Sequence, residues 1–264
     1  MSFKFSILAS GSTGNAIYLE TEKQRLLVDA GLSGKKIESS LKQIGVSPGE
    51  LDGILVSHEH SDHIKGVGIL SRRYQLPIYA NEKTWNAMEK SIGSIPSDLR
   101  FHAERGKSWS FEDLAVESFG VSHDAADPMF FTFYHAGKQL MILTDTGYVS
   151  DHMAGMAKEA DTLIFESNHD MDMLRMGKYP WSVKRRILGD EGHVSNADAG
   201  TALADIVKDR RMNVYLAHLS LDNNMKDLAR MTVEQTLNQH DIDTQAAVRL
   251  QDTDPHQPTP LRIV

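Results

Sequence analysis

Val56-Ser57-His58-Glu59-His60-Ser61-Asp62-His63 is the stretch on which the reading of this chain turns. It continues the short apolar run Leu51 to Ser57, which has the character of a buried strand, and it precedes Ile64 to Tyr74, whose spacing predicts a helix. Ligand-type residues are thus gathered on a strand-to-helix loop. His58 and His60 are two apart, so in an extended segment both imidazoles point to one side. Asp62 and His63 follow a turn and address a second point, so one loop can serve two metal ions. A lone HxH reads as a polar loop capping the next helix, but no packing role calls for this density of imidazole and carboxylate.

The remaining composition narrows the chemistry. With 264 residues, 41% hydrophobic and 24% charged, the chain has the make-up of a globular protein with one large core, and a single domain over 1–264 is expected. No apolar run approaches the roughly 18 residues of a membrane span, and Met1-Ser2-Phe3-Lys4-Phe5 lacks a signal-peptide pattern. A cytoplasmic protein without a membrane partner is the expectation, and no protein partner is readable. Cysteine is absent, so any metal must be held by nitrogen and oxygen, a donor set that suits zinc, manganese or iron. The net charge of -8 argues against generic nucleic-acid affinity, which shows as a basic excess. A phosphate-bearing substrate must therefore meet a local patch or the metals.

Along the chain, apolar strands repeatedly end on polar groups. Phe3 to Ala9, Ala16 to Glu20 and Arg25 to Asp29 read as an opening meander, with Ser10-Gly11-Ser12-Thr13-Gly14-Asn15 as a turn that has an edge able to face the site. Helices are expected over Lys35 to Ile44, Glu82 to Ser91, Trp181 to Leu188, Asn196 to Asp209 and Met225 to Gln239. The strand Leu114 to Val121 runs into Ser122-His123-Asp124, and a hairpin of Phe130 to His135 and Gln139 to Thr144 ends at Asp145. Thr162 to Phe165 leads to Glu166-Ser167-Asn168-His169-Asp170, and Asn213 to Ala217 leads to His218. Asp252 to Pro260 reads as a polar tail. Two mixed sheets packed face to face with helices outside, an α/β class, fit this order.

His58, His60, Asp62, His63, His123, Asp145 and His218, in that order at strand ends, resemble the metallo-β-lactamase superfamily with its αββα sandwich, over nearly the whole chain. The resemblance implies two divalent metal ions. His58, His60 and His123 would hold one, Asp62, His63 and His218 the other, and Asp145 would bridge them. Two such ions about 3.5–4 Å apart activate a water and offset charge on a phosphoryl group. Finer motifs, Ala9 to Asn15, His123-Asp124-Ala125, Glu166 to Asp170, Tyr179-Pro180 and Gly192-His193-Val194-Ser195-Asn196, resemble the YycJ (WalJ) group of DNA exonucleases. DNA is then the expected substrate, met by local contact.

Similarity to the related tRNA 3′-processing enzymes implies that His193 acts as general acid oriented by Glu166. With Asp62 these form the expected catalytic set, while helix capping is the alternative for His193. Lys184 and Arg186, on the Lys184-Arg185-Arg186 helix, are candidate phosphate contacts, with a solvated helix face as the alternative. His169 is read as a substrate contact or a structural hydrogen-bonding group. His102, His135, His152, His240 and His256 have no partner spacing.

A metallohydrolase of another phosphodiester, such as RNA or a small nucleotide, or of an acyl or thioester substrate, is the alternative on the same metal core. The need for a dedicated acid favours the phosphodiester. Flavodiiron oxygen reductases share the fold but resemble H-x-E-x-D-H where this chain has His60. A non-catalytic relative would be expected to have lost ligands, and all seven positions are filled.

Overall fold

A computed structural model of the chain describes residues 2–207 and 211–264. Its strands are β1 (Lys4–Ala9), β2 (Ala16–Glu20), β3 (Arg25–Val28), β4 (Gly53–Leu55), β5 (Ile78–Ala80), β6 (Arg100–His102) and β7 (Ser108–Phe111). They continue as β8 (Leu114–Gly120), β9 (Met129–His135), β10 (Lys138–Leu143), β11 (Thr162–Glu166), β12 (Met212–Ala217), β13 (Val248–Asp252) and β14 (Arg262–Ile263). The strands fall into two seven-stranded mixed sheets. The backbone groups into two compact units, one of Met1–Gly120, Ala125–Gly137 and Thr253–Val264, the other of Val121–Asp124 and Lys138–Asp252. The chain expected as one domain thus alternates between two units.

In the first unit β1, β2 and β3 form the expected antiparallel meander, and β3 to β6 continue it in parallel. The outer edge is closed by β14, which pairs with β1 through Lys4 and Ile263. This edge strand follows the segment expected as a polar tail, Asp252 to Pro260, at a place where the sequence suggested no element. Helix Gly34–Gln43 lays Ile37 and Leu41, four apart, into the core, and helix Glu82–Ile92 lays in Trp85, Met88 and Ile92. This spacing marks one apolar helix face. Each such buried side chain contributes about 1.5–3 kcal/mol of hydrophobic stabilisation. The Asn81 side chain accepts the Thr84 N–H at 2.9 Å and caps the second helix.

In the second unit β10, β11, β12 and β13 are all parallel. The near-continuous apolar runs of β10 to β12 are what a parallel strand covered on both faces requires. Helices Asn196–Ile206 and Lys226–Gln239 approach at Gly200, where a Cβ would lie 2.6 Å from Thr236 Cβ. The expected helix Asn196 to Asp209 is seen as far as Ile206, and Lys208 and Asp209 lie outside the described residues. Helices Asp151–Ala157, Met171–Met176 and Thr244–Ala247 were not expected from the sequence. They are too short to show a periodic pattern.

The decisive loop departs from its expected boundaries. The strand before His58 is only Gly53–Leu55, and the predicted helix Ile64 to Tyr74 is instead a turn, Ser61–Ile64, followed by Val67–Tyr74. The break comes at Gly66, whose N–H donates to Ala30 O at 2.7 Å and whose added Cβ would stand 2.5 Å from Leu32 O. Gly31 makes the complementary approach: a Cβ there would lie 1.6 Å from Asp62 O. Gly31→Ala should therefore displace the Asp62 loop, at a cost of roughly 1–3 kcal/mol or more from overpacking. A thermal melt indistinguishable from the parent chain would contradict this seat.

Candidate active site

Strand ends deliver the functional side chains, and three of them do so through left-handed backbone. Asp29, Asp145 and His218 have φ of 59°, 51° and 54°. Asp and His tolerate this region better than most residues, and such outliers concentrate at working sites.

In the first unit His58 and His63 are buried and His60 is partly exposed. The His58 ring centroid lies 4.7 Å from that of His60 and 4.1 Å from that of His63. Asp29 holds the loop: one carboxylate oxygen accepts Ser57 N–H at 2.8 Å, and the other accepts Ser57 Oγ–H at 2.7 Å and lies 2.8 Å from His63 Nδ1. Because Ser57 Oγ donates to Asp29, it accepts from His58 Nδ1 at 3.0 Å. Both imidazoles then carry their proton on Nδ1 and their lone pair on Nε2, the arrangement in which an outer carboxylate orients a metal-binding histidine. Asn15 of the Gly/Ser turn reaches His63 Nε2 at 3.1 Å and Asp62 Oδ2 at 3.4 Å, so that turn does face the site.

In the second unit Glu166 is completely buried and surrounded by donors. Its Oε1 lies 2.8 Å from His193 Nδ1 and 2.9 Å from His218 Nδ1, and its Oε2 accepts Thr146 N–H at 3.1 Å and Val194 N–H at 3.3 Å. Burial alone would raise its pKa, but the charge and hydrogen bonds of His193 and His218 outweigh it and hold the group down at about 2. Glu166 is thus an anion that orients two imidazoles. His123 Nδ1 is 3.3 Å from Gly192 O, so it too presents Nε2. Asp145 Oδ1 sits 3.4 Å from His218 Nε2 and 3.9 Å from His123 Nε2.

These donors fit a divalent ion. Ligand atoms about 2.0–2.2 Å from a tetrahedral ion stand roughly 3.3–3.6 Å from one another. The Asp145–His218 spacing of 3.4 Å and the Asp62–His63 spacing of 3.6 Å fall in that range, and the Asp145–His123 spacing of 3.9 Å lies slightly above it. Nitrogen and carboxylate donors oriented by outer groups are the coordination chemistry of zinc, manganese or iron.

One expectation, for Lys184, is corrected, and the surroundings of Arg186 and His169 bear on two more. Lys184 is buried, and its ammonium donates to Arg175 O and Gly177 O at 2.7 Å each. It ties two helices together and does not face a phosphate. Arg186 stays exposed, but its Nε is paired with Asp124 Oδ2 at 2.7 Å, which a phosphate would have to displace. His169 is 1% exposed, neither ring nitrogen has a hydrogen-bond partner, and its backbone bridges Ser195. Burial pushes its pKa down to about 4. This favours the structural one of its two expected roles. Sequence reading assigned no role to Asp29 or Ser57; Asp29, at the end of an apolar run like the candidate ligands, carried the signal that could have found it.

A family model for the β-lactamase superfamily domain matches residues 24–219. Fold and donor set accordingly define a metallo-β-lactamase-fold protein. Over its whole length the chain is 57% identical to exodeoxyribonuclease YycJ of Bacillus anthracis, covering 100% of both chains. It is 52% identical to exodeoxyribonuclease WalJ of Streptococcus pneumoniae, covering 98% of this chain and 97% of that one. The chain belongs to the YycJ/WalJ family of the metallo-β-lactamase superfamily. The solved metallo-β-lactamase fold protein YhfI from Bacillus subtilis shares the fold at a TM-score of 0.75 and 17% identity, covering 97% of this chain and 98% of that one. Among the described residues no helix is long and apolar enough to cross a membrane.

Asp29→Asn removes the charge behind His63 while keeping one acceptor. Metal affinity should fall about 10- to 100-fold, as loss of an outer orienting group does; metal titration reads this, and unchanged affinity would contradict the role. His169 makes a separate prediction for pH. Its folded pKa lies below the usual 6.5, so the unfolded chain binds a proton that the folded one refuses as pH falls from about 6.5 towards 4. Stability should be fully present above that window and should drop within it by up to about 1.4 kcal/mol per pH unit. His169→Asn should flatten this slope in denaturant titrations across the window.

Proposed function

We propose that the chain is a divalent-metal-dependent phosphodiesterase that acts as an exodeoxyribonuclease on DNA. The observation that carries this is the Glu166–His193 pair, on a chain matched end to end by relatives named exodeoxyribonucleases. The resemblance to the metallo-β-lactamase superfamily implies that His58, His60 and His123 would hold one ion and Asp62, His63 and His218 a second, with Asp145 serving both. When bound, such ions lower the pKa of a water and neutralise charge on the phosphoryl oxygens. Residues 1–264 are taken to act as one catalytic domain.

The protein's own contribution is the handling of a proton. A phosphodiester leaves as an alkoxide, which requires one. Glu166 Oε1 accepts from His193 Nδ1 at 2.8 Å, so Nε2 is the ring nitrogen left to deliver a proton. His193 keeps 15% of its side chain exposed while Glu166 keeps none, which leaves the acid accessible and its orienter dry. Hydrolysis of an acyl bond has less need of this pair. Asp62, also expected in the catalytic set, is aligned through Asn15. His169 supports the loop of His193 through Asn196 N–H, which donates to its carbonyl at 2.9 Å.

The test is an end-labelled DNA digestion with metal analysis of the same preparation. His193→Ala should keep its metal and lose rate by roughly 10²–10⁴-fold, the size of a missing general acid. The loss should shrink on a p-nitrophenyl phosphodiester, whose leaving group needs no proton. Equal losses on both substrates would assign His193 to substrate positioning, and loss of metal would make it a ligand. Activity on thioesters but not on DNA would overturn the function.

A further inference from the structure

Away from the strand ends just described, the first unit gathers a second group of ligand-type side chains. Glu22 lies in the turn between β2 and β3, Asp113 in the turn between β7 and β8, and His135 ends β9. His135 has no partner spacing in the sequence, and the meeting of these strand ends supplies its partners. Each of the three residues offers a ligand atom, and these atoms all lie within 4.8 Å of one another. The His58 loop is remote from them. Met129 N–H, at the start of β9, donates to Ser57 O, and the 7 residues of that strand carry the chain about 20 Å further before His135 is reached.

The imidazole is the informative member of the group. Its side chain is 4% exposed, and Nδ1 lies 2.8 Å from Asp113 O. A carbonyl only accepts, so Nδ1 carries the proton and Nε2 the lone pair of the neutral ring. Nε2 is buried and has no hydrogen-bond partner among the described residues. Glu22 Oε2 stands 3.2 Å from it but without the alignment of a hydrogen bond, so this contact leaves the nitrogen unsatisfied. Two ligands of one tetrahedral ion stand at a similar spacing, roughly 3.3–3.6 Å. The carboxylates are themselves oriented, as metal ligands are by outer contacts. Asp113 Oδ1 accepts Thr21 Oγ–H at 2.6 Å, and Glu22 Oε1 accepts Ser2 N–H. Asp113 Oδ2 lies on the histidine side, 3.8 Å from Nδ1.

We propose that His135, Glu22 and Asp113 bind a divalent transition-metal ion, such as zinc, that ties together the ends of these hairpins. Two carboxylates supply charge opposite the dication. The imidazole nitrogen selects zinc over magnesium and calcium, which take oxygen ligands. Side-chain exposure rises from 4% at His135 to 21% at Asp113 and 45% at Glu22, so an ion enters from the carboxylate side and water fills its remaining positions. The proposal goes beyond the nuclease function and is independent of it, because the ion needs neither substrate nor turnover to be detected.

The experiment measures zinc bound by the full chain in equilibrium dialysis, with metal content read by mass spectrometry and DNA digestion followed on the same preparations. The parent should hold one zinc per chain more than Glu22→Gln/Asp113→Asn, while digestion at saturating metal stays unchanged. His135→Gln should lose the same ion. The double variant alters only partly exposed carboxylates, so it tests the proposal even where substitution of the buried imidazole prevents folding. Excess magnesium should leave the additional zinc in place, and added zinc should raise the melting temperature of the parent more than that of the double variant. Equal zinc content in the parent and the folded double variant would overturn the proposal, as would displacement of the additional ion by magnesium. A melting difference between the two that is the same in zinc and in chelator would assign the three side chains to an ion pair alone and overturn it as well.

Discussion

A buried anion sets the terms for the second unit of this protein. Glu166 has no exposed side-chain surface, and an ionised carboxylate out of water is stable only where donors are fixed around it. Those donors come from three places in the sequence: Thr146 beyond β10, His193 and Val194 beyond helix Trp181–Ile187, and His218 beyond β12. The parallel register of β10, β11 and β12 is what brings these ends level. Removing any one donor exposes the same charge to an unsatisfied interior, so the geometry of His193 and His218 is coupled through one oxygen. Asp29 plays the equivalent part in the first unit, with Ser57 and His63 as its donors.

The backbone is strained where this geometry requires it. A left-handed non-glycine residue costs of order 1–3 kcal/mol, and Asp29, Asp145 and His218 all adopt that conformation at the end of a strand. An extended continuation would turn successive side chains to alternate faces of the sheet, whereas a left-handed residue bends the chain at once. Strand ends that carry this bend sit on strands whose interiors are among the most buried in the molecule, so the sheet supplies the stability that the turn consumes.

Much of this arrangement was legible because ligand chemistry has few substitutes. His58, His60, Asp62 and His63 mark themselves by density, and Asp145, Glu166 and His218 by following apolar runs. What the sequence hid lay in relations that no local pattern encodes. The role of Asp29 depends on a parallel neighbour strand, and Asn15 faces the site only because Gly31 admits the Asp62 loop against it. Lys184 was misread for the same reason. A lysine in a basic run looks solvated, yet the carbonyls that hold its ammonium belong to Arg175 and Gly177, outside its own helix. Helix breaks such as Gly66 were equally hidden, since the periodic pattern continues across them while tertiary crowding does not allow the helix to.

Lys184 also shows how charge is distributed in an acidic protein that must handle a polyanion. A buried cation cannot be a phosphate contact, but it can hold the elements that carry exposed ones, and its hydrogen bonds make the position of Trp181 a property of the fold. Net charge acts on encounter at long range and is screened beyond about 8 Å at physiological salt, whereas stacking and paired phosphate contacts act within contact distance. A chain of net charge -8 therefore repels nucleic acid in general, and productive contact falls to groups that act at short range. Global repulsion suppresses binding along the length of a polymer and leaves short-range contacts to select the part of it that is held. For an enzyme that works from an end, low affinity for the interior of the polymer is an advantage, because an internal phosphodiester held elsewhere on the surface would be unproductive.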